Sequence, residues 1–522
     1  MASRAIRTDV LVIGAGIAGC SAALAAARAG LRVIVLSKSE RATSSTNTLW
    51  AQGGIIYRGK KDSPRLLVKD IMTAGAGNVN PRAAEHLARQ GPRLVKRLLI
   101  DELGIPFDRG PRGGLDLTEE GAHSIPRIIH VEDLTGRAIG EAVYHAIRRE
   151  KNIRFLRAAS AIDLLTLSHH SRDPIDVYAP PTCFGAHVLL RLKGEVIPIF
   201  ARETVLATGG LGRLFLHTTN PNGARGDGLA MAYRAGARII NLEYIQFHPT
   251  ALYHPAADRF LISESMRGEG AVLIRRDGSS FMEKYHPLGS LAPRDVVARA
   301  IHEEMLAYGM PCVYLDITHR PADWIRHRFP NIHAKCLEHG IDITQQPIPV
   351  VPAAHYSCGG VAVDLEGRTS INRLRAVGEV TCTGLHGANR LASTSLLEGL
   401  VWGWGAGEST AKTLSGERTW RVPPLEPWRA EHEPVDPALI AQDWLTIKHT
   451  MWNYVGLVRT RKRMKRALQI LRELQFEIEE FYARAEMTDP LLGLRNGVQA
   501  ALAVTYAALE NPISRGAHFR VD

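Results

Sequence analysis

The segment that most narrows the fold of this 522-residue chain is Gly14-Ala-Gly-Ile-Ala-Gly19. Asp9–Ile13 before it is a short apolar run suited to a buried strand. Ser21–Ala29 after it is alanine-rich and predicts a helix ended by Gly30, and Arg32–Leu36 is a second apolar run. Strand, glycine turn, helix and strand within about thirty residues make the βαβ unit that binds dinucleotides. Gly14 forms the turn, Gly16 lets the backbone approach a pyrophosphate, and Gly19 lets helix and sheet pack closely. The helix N-terminus adds partial positive charge. Cofactor contacts are therefore expected at Gly14, Ala15, Gly16, Ile17, Ala18 and Gly19. The second strand ends Val35-Leu-Ser-Lys38, with Glu40 slightly beyond, and lacks the acid that grips a ribose in simple NAD enzymes.

Two more strands of this type lie far downstream. Glu203–Leu206 runs into Ala207-Thr-Gly-Gly210, and Leu374–Val377 runs into Gly378-Glu379. Such returns predict a nucleotide domain split by an insertion. Gly/Pro-punctuated α/β sequence fills about 240–350, and beyond about 425 the segments Trp444–Leu457 and Arg459–Tyr482 have amphipathic helical spacing.

Composition removes other classes. With 45% hydrophobic and 22% charged residues the chain is neither disordered nor fibrous. Its six cysteines are scattered without a C-x-x-C pair, which argues against a disulfide framework or a zinc ribbon; no metal is expected, and a reducing compartment fits. Basic Met1–Arg7 followed by the uncharged run Val10–Ala27 mimics a leader or a membrane span. That run is rich in glycine and alanine rather than leucine, so a cytoplasmic protein without a membrane anchor is expected. The net charge of +11 favours anionic partners. Arg459-Thr-Arg-Lys-Arg-Met-Lys-Arg466 has the charge for phosphate contacts but no nucleic-acid motif around it, so nucleic acid is not an expected partner.

Several strings join glycine or proline to residues that bind anions or move protons. The most specific are S-T-N-T-L-W-A-Q-G-G, Q-F-H-P-T-A-L-Y-H, L-A-P-R-D-V-V-A-R-A, V-P-A-A-H-Y-S-C-G-G-V and G-L-H-G-A-N-R-L-A-S-T-S-L-L-E. Through them the chain resembles the succinate dehydrogenase/fumarate reductase flavoprotein family from about Asp9 to its last helices. The resemblance implies an α/β fold: a Rossmann-like FAD-binding domain (1–240 and 353–420), an inserted α+β capping domain (241–352) and a C-terminal helical domain (421–522). It implies FAD rather than NAD. Matching motifs put Ala15–Gly19, Ser37 and Lys38 along the ADP. Asn47, Thr48, Leu49, Trp50, Ala51, Gln52, Gly53 and Gly54 would wrap the pyrophosphate and flavin. Asp227 and Glu379 would hold polar groups of the cofactor, and Ser395 and Leu396 would sit by the ring. Membrane-complex relatives carry a histidine that bonds covalently to the flavin where this chain has Asn47. Asparagine cannot form that bond, so the FAD is expected to be non-covalent.

The same resemblance assigns the substrate chemistry. His248, Ser263, His355 and Arg390 match the family's carboxylate ligands, and an arginine fork suits a carboxylate. Arg294 matches the proton-transfer residue, with Glu264 and Arg267 as its relay. Glu120 stands where succinate and fumarate enzymes carry glutamine, beside a second candidate acid, Glu119. A carboxylate there suits a substrate ammonium and repels a third acid group. The implied reaction is oxidation of L-aspartate to iminoaspartate, with the flavin reoxidised by oxygen or fumarate. Quinolinate synthase, at the start of NAD biosynthesis, would be the pathway partner. A flavoprotein subunit of a fumarate reductase or succinate dehydrogenase is the alternative. The sequence sets no oligomeric state.

Overall fold

The computed structural model describes residues 5–40, 46–257, 260–416, 420–426, 428 and 433–522. Met1–Arg4 of the leader-like segment and Ser45 of the S-T-N-T-L-W string lie outside the described residues.

Strand β1 (Ile6–Ile13) pairs in parallel with β2 (Val33–Leu36), Val10 opposite Val33 and Ile13 opposite Leu36. The helix between them, α1 (Ile17–Arg28), begins four residues earlier than its alanine content predicts. The glycine motif itself supplies the first turn: Gly16 is the N-cap, and Gly19 lies within the helix against the Gly14 carbonyl. Gly14 has φ +121°, and a Cβ added there would fall on the Ala207 carbonyl, so only glycine fits.

The sheet extends through β3 (Ile153–Leu156), β4 (Ala159–Thr166), β5 (Cys183–Leu190) and β6 (Glu195–Leu206), in the order β3-β2-β1-β6-β5-β4. Leu374–Ala376 pairs in parallel with the end of β6, opposite Thr204–Leu206. The downstream segments anticipated as nucleotide strands thus join the first sheet, although β6 starts eight residues before Glu203. Side chains alternate between two cores. Leu11 and Ile13 enter one, shared with α2 (Asp227–Arg234), whereas Val10 and Val12 enter the other, shared with α1.

A second, antiparallel sheet contains β7 (Ile245–Leu252), β8 (Val272–Ile274), β9 (Val313–Asp316) and β10 (Ile348–Ser357), in the order β7-β10-β9-β8. Helices α3 (Glu264–Gly268) and α4 (Arg294–Ala307) belong to the same segment. The long strands β7 and β10 bridge two cores: Ile245, Phe247 and Ala354 pack with the nucleotide sheet, while Leu252, Ile348 and Val350 pack with the inserted segment. Their pairing shifts register between His248 and Ala251. Such a bulge re-aims side chains, and it falls at the first candidate ligand.

Helix α5 (Thr394–Ser415) lies along α1. Gly403 meets the Ala18 backbone and Gly407 meets Ala22 and Ala25, leaving no room for side chains between the two helices. Three C-terminal helices, α6 (Pro437–Val455), α7 (Arg461–Arg484) and α8 (Asp489–Glu510), share the first core through Met451, Met464, Leu471, Leu494 and Val498. Two of them answer the amphipathic segments, shifted in position. The third escapes periodicity because it is buried on nearly every side and shows no polar stripe. The basic run is not one helical face. Arg459 precedes α7 and is wholly buried, donating to the carbonyls of Glu243 (2.7 Å), Gly456 (3.0 Å) and Val455 (3.1 Å), while Arg461, Lys462, Arg463, Lys465 and Arg466 are exposed.

Candidate active site

One cavity of about 760 Å³ extends from the start of α1 to the first residue of α4. It brings together nearly all the residues singled out from sequence. Gly14–Ala18, Ser37, Lys38, Asn47–Gly54, Glu120, Asp227, His248, Ser263, Glu264, Arg294, His355, Glu379, Arg390, Ser395 and Leu396 line it. Gly19 and Arg267 do not. Gly19 is spent on packing against Gly14, and Arg267 is buried behind Glu264.

The end near α1 is built mainly from backbone. The helix starts with no side-chain cap and no acid in its first turn, so its positive end is left for an anion. Thr48 steadies it by accepting a 3.0 Å hydrogen bond from the Ile17 amide. Lys38 and Asp227 pair with each other, and Asp227 also accepts from Arg225 (3.2 Å) and Asn496 (3.0 Å). Asn47 Nδ2 donates to Glu379 Oε2 at 2.6 Å, and the Ser357 amide donates to Glu379 Oε1 at 3.1 Å. Burial pushes the Glu379 carboxyl up to about 7. Asn47 Oδ1, Gln52 Oε1 and Thr208 Oγ1 are buried without a partner among the described residues. A buried polar atom of that kind wants a hydrogen-bonding ligand. The uncapped helix end, the closed glycine turn and these unpaired atoms all fit a flavin dinucleotide.

The other end is built from charged side chains. Arg294 is the first residue of α4, and its Nε donates to Glu264 Oε2; Glu264 is the first residue of α3, with Arg267 Nη2 3.5 Å from its other oxygen. Burial alone would raise the Glu264 carboxyl, but Arg294 and Arg267 hold it below its ordinary value. Burial would lower Arg294, but Glu264 and Glu120 hold it above its own. His248 and His355 face each other with ring centres 5.4 Å apart. Burial holds both well below the ordinary histidine value, reinforced mainly by Arg294 at His248 and by Arg390 at His355. Both rings are therefore neutral near pH 7. Ser263 caps α3, and its hydroxyl lies 2.8 Å from that of Ser265.

The two neighbouring acids differ in exposure. Glu119 is exposed, whereas Glu120 lines the cavity against Gly53 and accepts a 2.7 Å hydrogen bond from the Ser393 hydroxyl. Ser393 is the N-cap of α5 with φ +55°, and its hydroxyl serves Glu120 instead of the helix.

Other contributors were not singled out from sequence. Arg390 lies over the Tyr356 ring at 4.8 Å, and Tyr356 donates to Glu398 at 2.8 Å. Glu398 also accepts from Thr383 (2.6 Å) and bonds His386 (2.9 Å), giving a buried network beneath the arginine. Thr219 holds His355, and Gly209 and Gly210, read from sequence only as the turn after a nucleotide-type strand, line the nucleotide end. Tyr356 and Glu398 sit inside the recognisable strings, so position within a motif was a usable signal. Thr219 sits in none of them.

Comparison with known proteins agrees with this geometry. The FAD binding domain family matches residues 9–396, and the fumarate reductase flavoprotein C-terminal family matches 445–522. The chain is 45% identical to an L-aspartate oxidase of Pseudomonas aeruginosa, covering 98% of this chain and 95% of that one. It is 44% identical to an L-aspartate oxidase of Halobacterium salinarum, covering 99% and 97%. Among solved structures it resembles an Escherichia coli quinol fumarate reductase chain (TM-score 0.87, 27% identity, 99% and 92% covered). Mycobacterium smegmatis Sdh1 is also similar (TM-score 0.82, 31% identity, 99% and 89% covered). With relatives this similar over nearly its whole length, the chain belongs to the L-aspartate oxidases, a branch of the fumarate reductase and succinate dehydrogenase flavoprotein family.

Proposed function

We infer that this protein is an FAD-dependent L-aspartate oxidase, forming iminoaspartate in the first step of NAD biosynthesis. The observation that carries the substrate choice is Glu120, a carboxylate held by Ser393 in a corner of arginines and neutral histidines whose other carboxylate, Glu264, is already paired with Arg294 and Arg267. A corner of cations alone suits any dicarboxylate; one carboxylate added to it selects a substrate that also carries an ammonium group.

In this mechanism Arg390, His248, His355 and Ser263 bind the two carboxylates, and Glu120 takes the ammonium. Fixing all three groups orients the α-carbon and removes the entropy of finding that pose from the barrier. A bound FAD would supply the acceptor for the hydride from the α-carbon, with oxygen or fumarate as the final oxidant. The proton lost alongside goes to Arg294. Because Glu264 and Glu120 keep that guanidinium protonated, Arg294 acts as a conduit: it accepts one proton as its Nε proton moves to Glu264. Glu264 then holds the proton, with Arg267 Nη2 3.5 Å from its other oxygen. The segment 241–352 acts as a cap, bringing Arg294 and Glu264 to the flavin and excluding water.

The FAD is held non-covalently, in keeping with Asn47, and Asn47–Gly54, Glu379, Ser395 and Leu396 hold it. Fumarate uses the same anion clamps. Iminoaspartate hydrolyses readily, so quinolinate synthase is the partner that consumes it. No helix among the described residues is long and apolar enough to cross a membrane; the scattered cysteines, without a C-x-x-C pair, support a reducing, cytoplasmic compartment.

Anaerobic mixing with L-aspartate or succinate, followed by visible flavin absorbance, tests this function. Bleaching by L-aspartate alone is expected. Bleaching by succinate alone would move the protein to the respiratory branch. Release of the flavin on acid precipitation checks the non-covalent attachment.

A further inference from the structure

A neutral imidazole carries one N–H, and a ring that binds a carboxylate must present it on the nitrogen facing that ligand. The two histidines of the substrate corner differ in how that proton is placed. His248 Nδ1 lies between the Thr250 carbonyl oxygen (3.1 Å) and the Thr250 amide (3.2 Å), an acceptor and a donor, so its surroundings allow either tautomer. His355 Nδ1 instead meets a side chain, the Thr219 hydroxyl, at 2.8 Å.

Thr219 is itself tightly placed. Its amide donates to the Ala354 carbonyl at 3.1 Å, Thr218 Oγ1 donates to the same carbonyl at 2.8 Å, and Asn220 Nδ2 donates to the His355 carbonyl at 3.0 Å. Three consecutive residues thus clamp the strand that carries His355, and Thr219 is 6% exposed. Among the described residues the Thr219 hydroxyl has no side-chain partner other than His355 Nδ1. A buried hydroxyl places its proton on the acceptor within reach, here the ring nitrogen.

We propose that Thr219 is a positioning residue for dicarboxylate binding, donating its hydroxyl proton to His355 Nδ1 and so fixing the ring proton on Nε2, the nitrogen left for a substrate carboxylate. The proposal rests on His355 being a carboxylate ligand. The low proton affinity of His355 supports it, since a doubly protonated ring would need no selector. The two histidines then divide the work: His355 is a committed donor, and His248 is free to change tautomer.

The test is a succinate titration of the flavin-bound enzyme, read by flavin absorbance and by calorimetry. Thr219→Val keeps the shape and removes the donor, and is expected to raise the succinate Kd about tenfold, with KM for L-aspartate rising more than kcat falls. Thr219→Ser restores the hydroxyl and is expected to bind within about twofold of the parent. Flavin content and Tm report whether either variant disturbs the fold. In ¹⁵N-histidine spectra the Nε2–H tautomer of His355 is expected in the parent and lost in Thr219→Val. Parent-like succinate binding in Thr219→Val, or failure of Thr219→Ser to restore it, overturns the proposal. His355→Ala separates the two levels. If it weakens succinate while Thr219→Val does not, only the role of Thr219 falls; if it binds succinate like the parent, His355 is no ligand and both fall.

Discussion

The two ends of the cavity solve their binding problems with different materials. Near α1 the walls are largely backbone, a glycine turn and a helix end free of acids, with the Lys38–Asp227 and Asn47–Glu379 pairs set beside them. Near α4 they are long side chains, Arg294, Glu264, Arg390, His248 and His355, drawn from segments up to 142 residues apart along the chain, from His248 to Arg390. A backbone wall recognises a shape and a phosphate charge, and side chains alter it little. A side-chain wall recognises a particular set of charges, and one substitution rewrites it. Damage to the first end should therefore cost the cofactor, and damage to the second should cost turnover or selectivity with the cofactor in place.

That contrast can be broken at four points. Arg294→Leu is expected to lower turnover by about 10³–10⁴-fold with full flavin content, since it removes both the proton conduit and a positive charge at the reacting end. Flavin loss in this variant would show the two ends to be one unit. Gly14→Ala is expected to weaken flavin binding about a hundredfold or more, measured as flavin per protein after gel filtration, because a Cβ cannot share space with the Ala207 carbonyl. Glu120→Gln should reduce kcat/KM for L-aspartate about ten- to a hundredfold, the worth of a charged hydrogen bond, while leaving fumarate within a few-fold. Equal losses for both would remove Glu120 from amino-group selection.

The smallest effect belongs to Glu379. Burial raises its carboxyl from 4.5 to about 7, so the folded protein holds a proton that the unfolded chain releases. The folded state binds more protons across that window, and stability must fall as pH rises from about 4.5 through about 7. Glu379→Gln should flatten the decline of Tm over this range in flavin-free protein. An unchanged slope would assign the decline to another group.

The same division explains what could be read from the chain. A backbone site advertises itself locally, because Gly14, Gly16 and Gly19 must stand at fixed spacing between a strand and a helix. The helix start was still misplaced, since alanine content says nothing about a turn that glycines begin. The substrate end offers no such spacing. Nothing about Glu120, His248 and Arg390 as residue types says that they meet, and only resemblance to a known family gathered them. Exposure then separated Glu120 from Glu119, which no local pattern could do. Thr219 stayed invisible because its importance lies in a contact made 136 residues away in sequence. Helix α8 lies within the segment 421–522 expected to be helical, but its own limits stayed hidden because it is too deeply buried to show a polar face.

The close seam between α1 and α5 has an evolutionary consequence. Helix α1 opens at the nucleotide end, and α5 opens beside Arg390 and Ser395, so the Gly403 and Gly407 contacts set the distance between the two ends. A bulkier residue in that seam would move one end against the other and spoil every substrate alike. Descendants of such a scaffold can therefore acquire new substrates cheaply at the teeth, by exchanges such as glutamine for Glu120, while the jaw that holds them keeps its gauge.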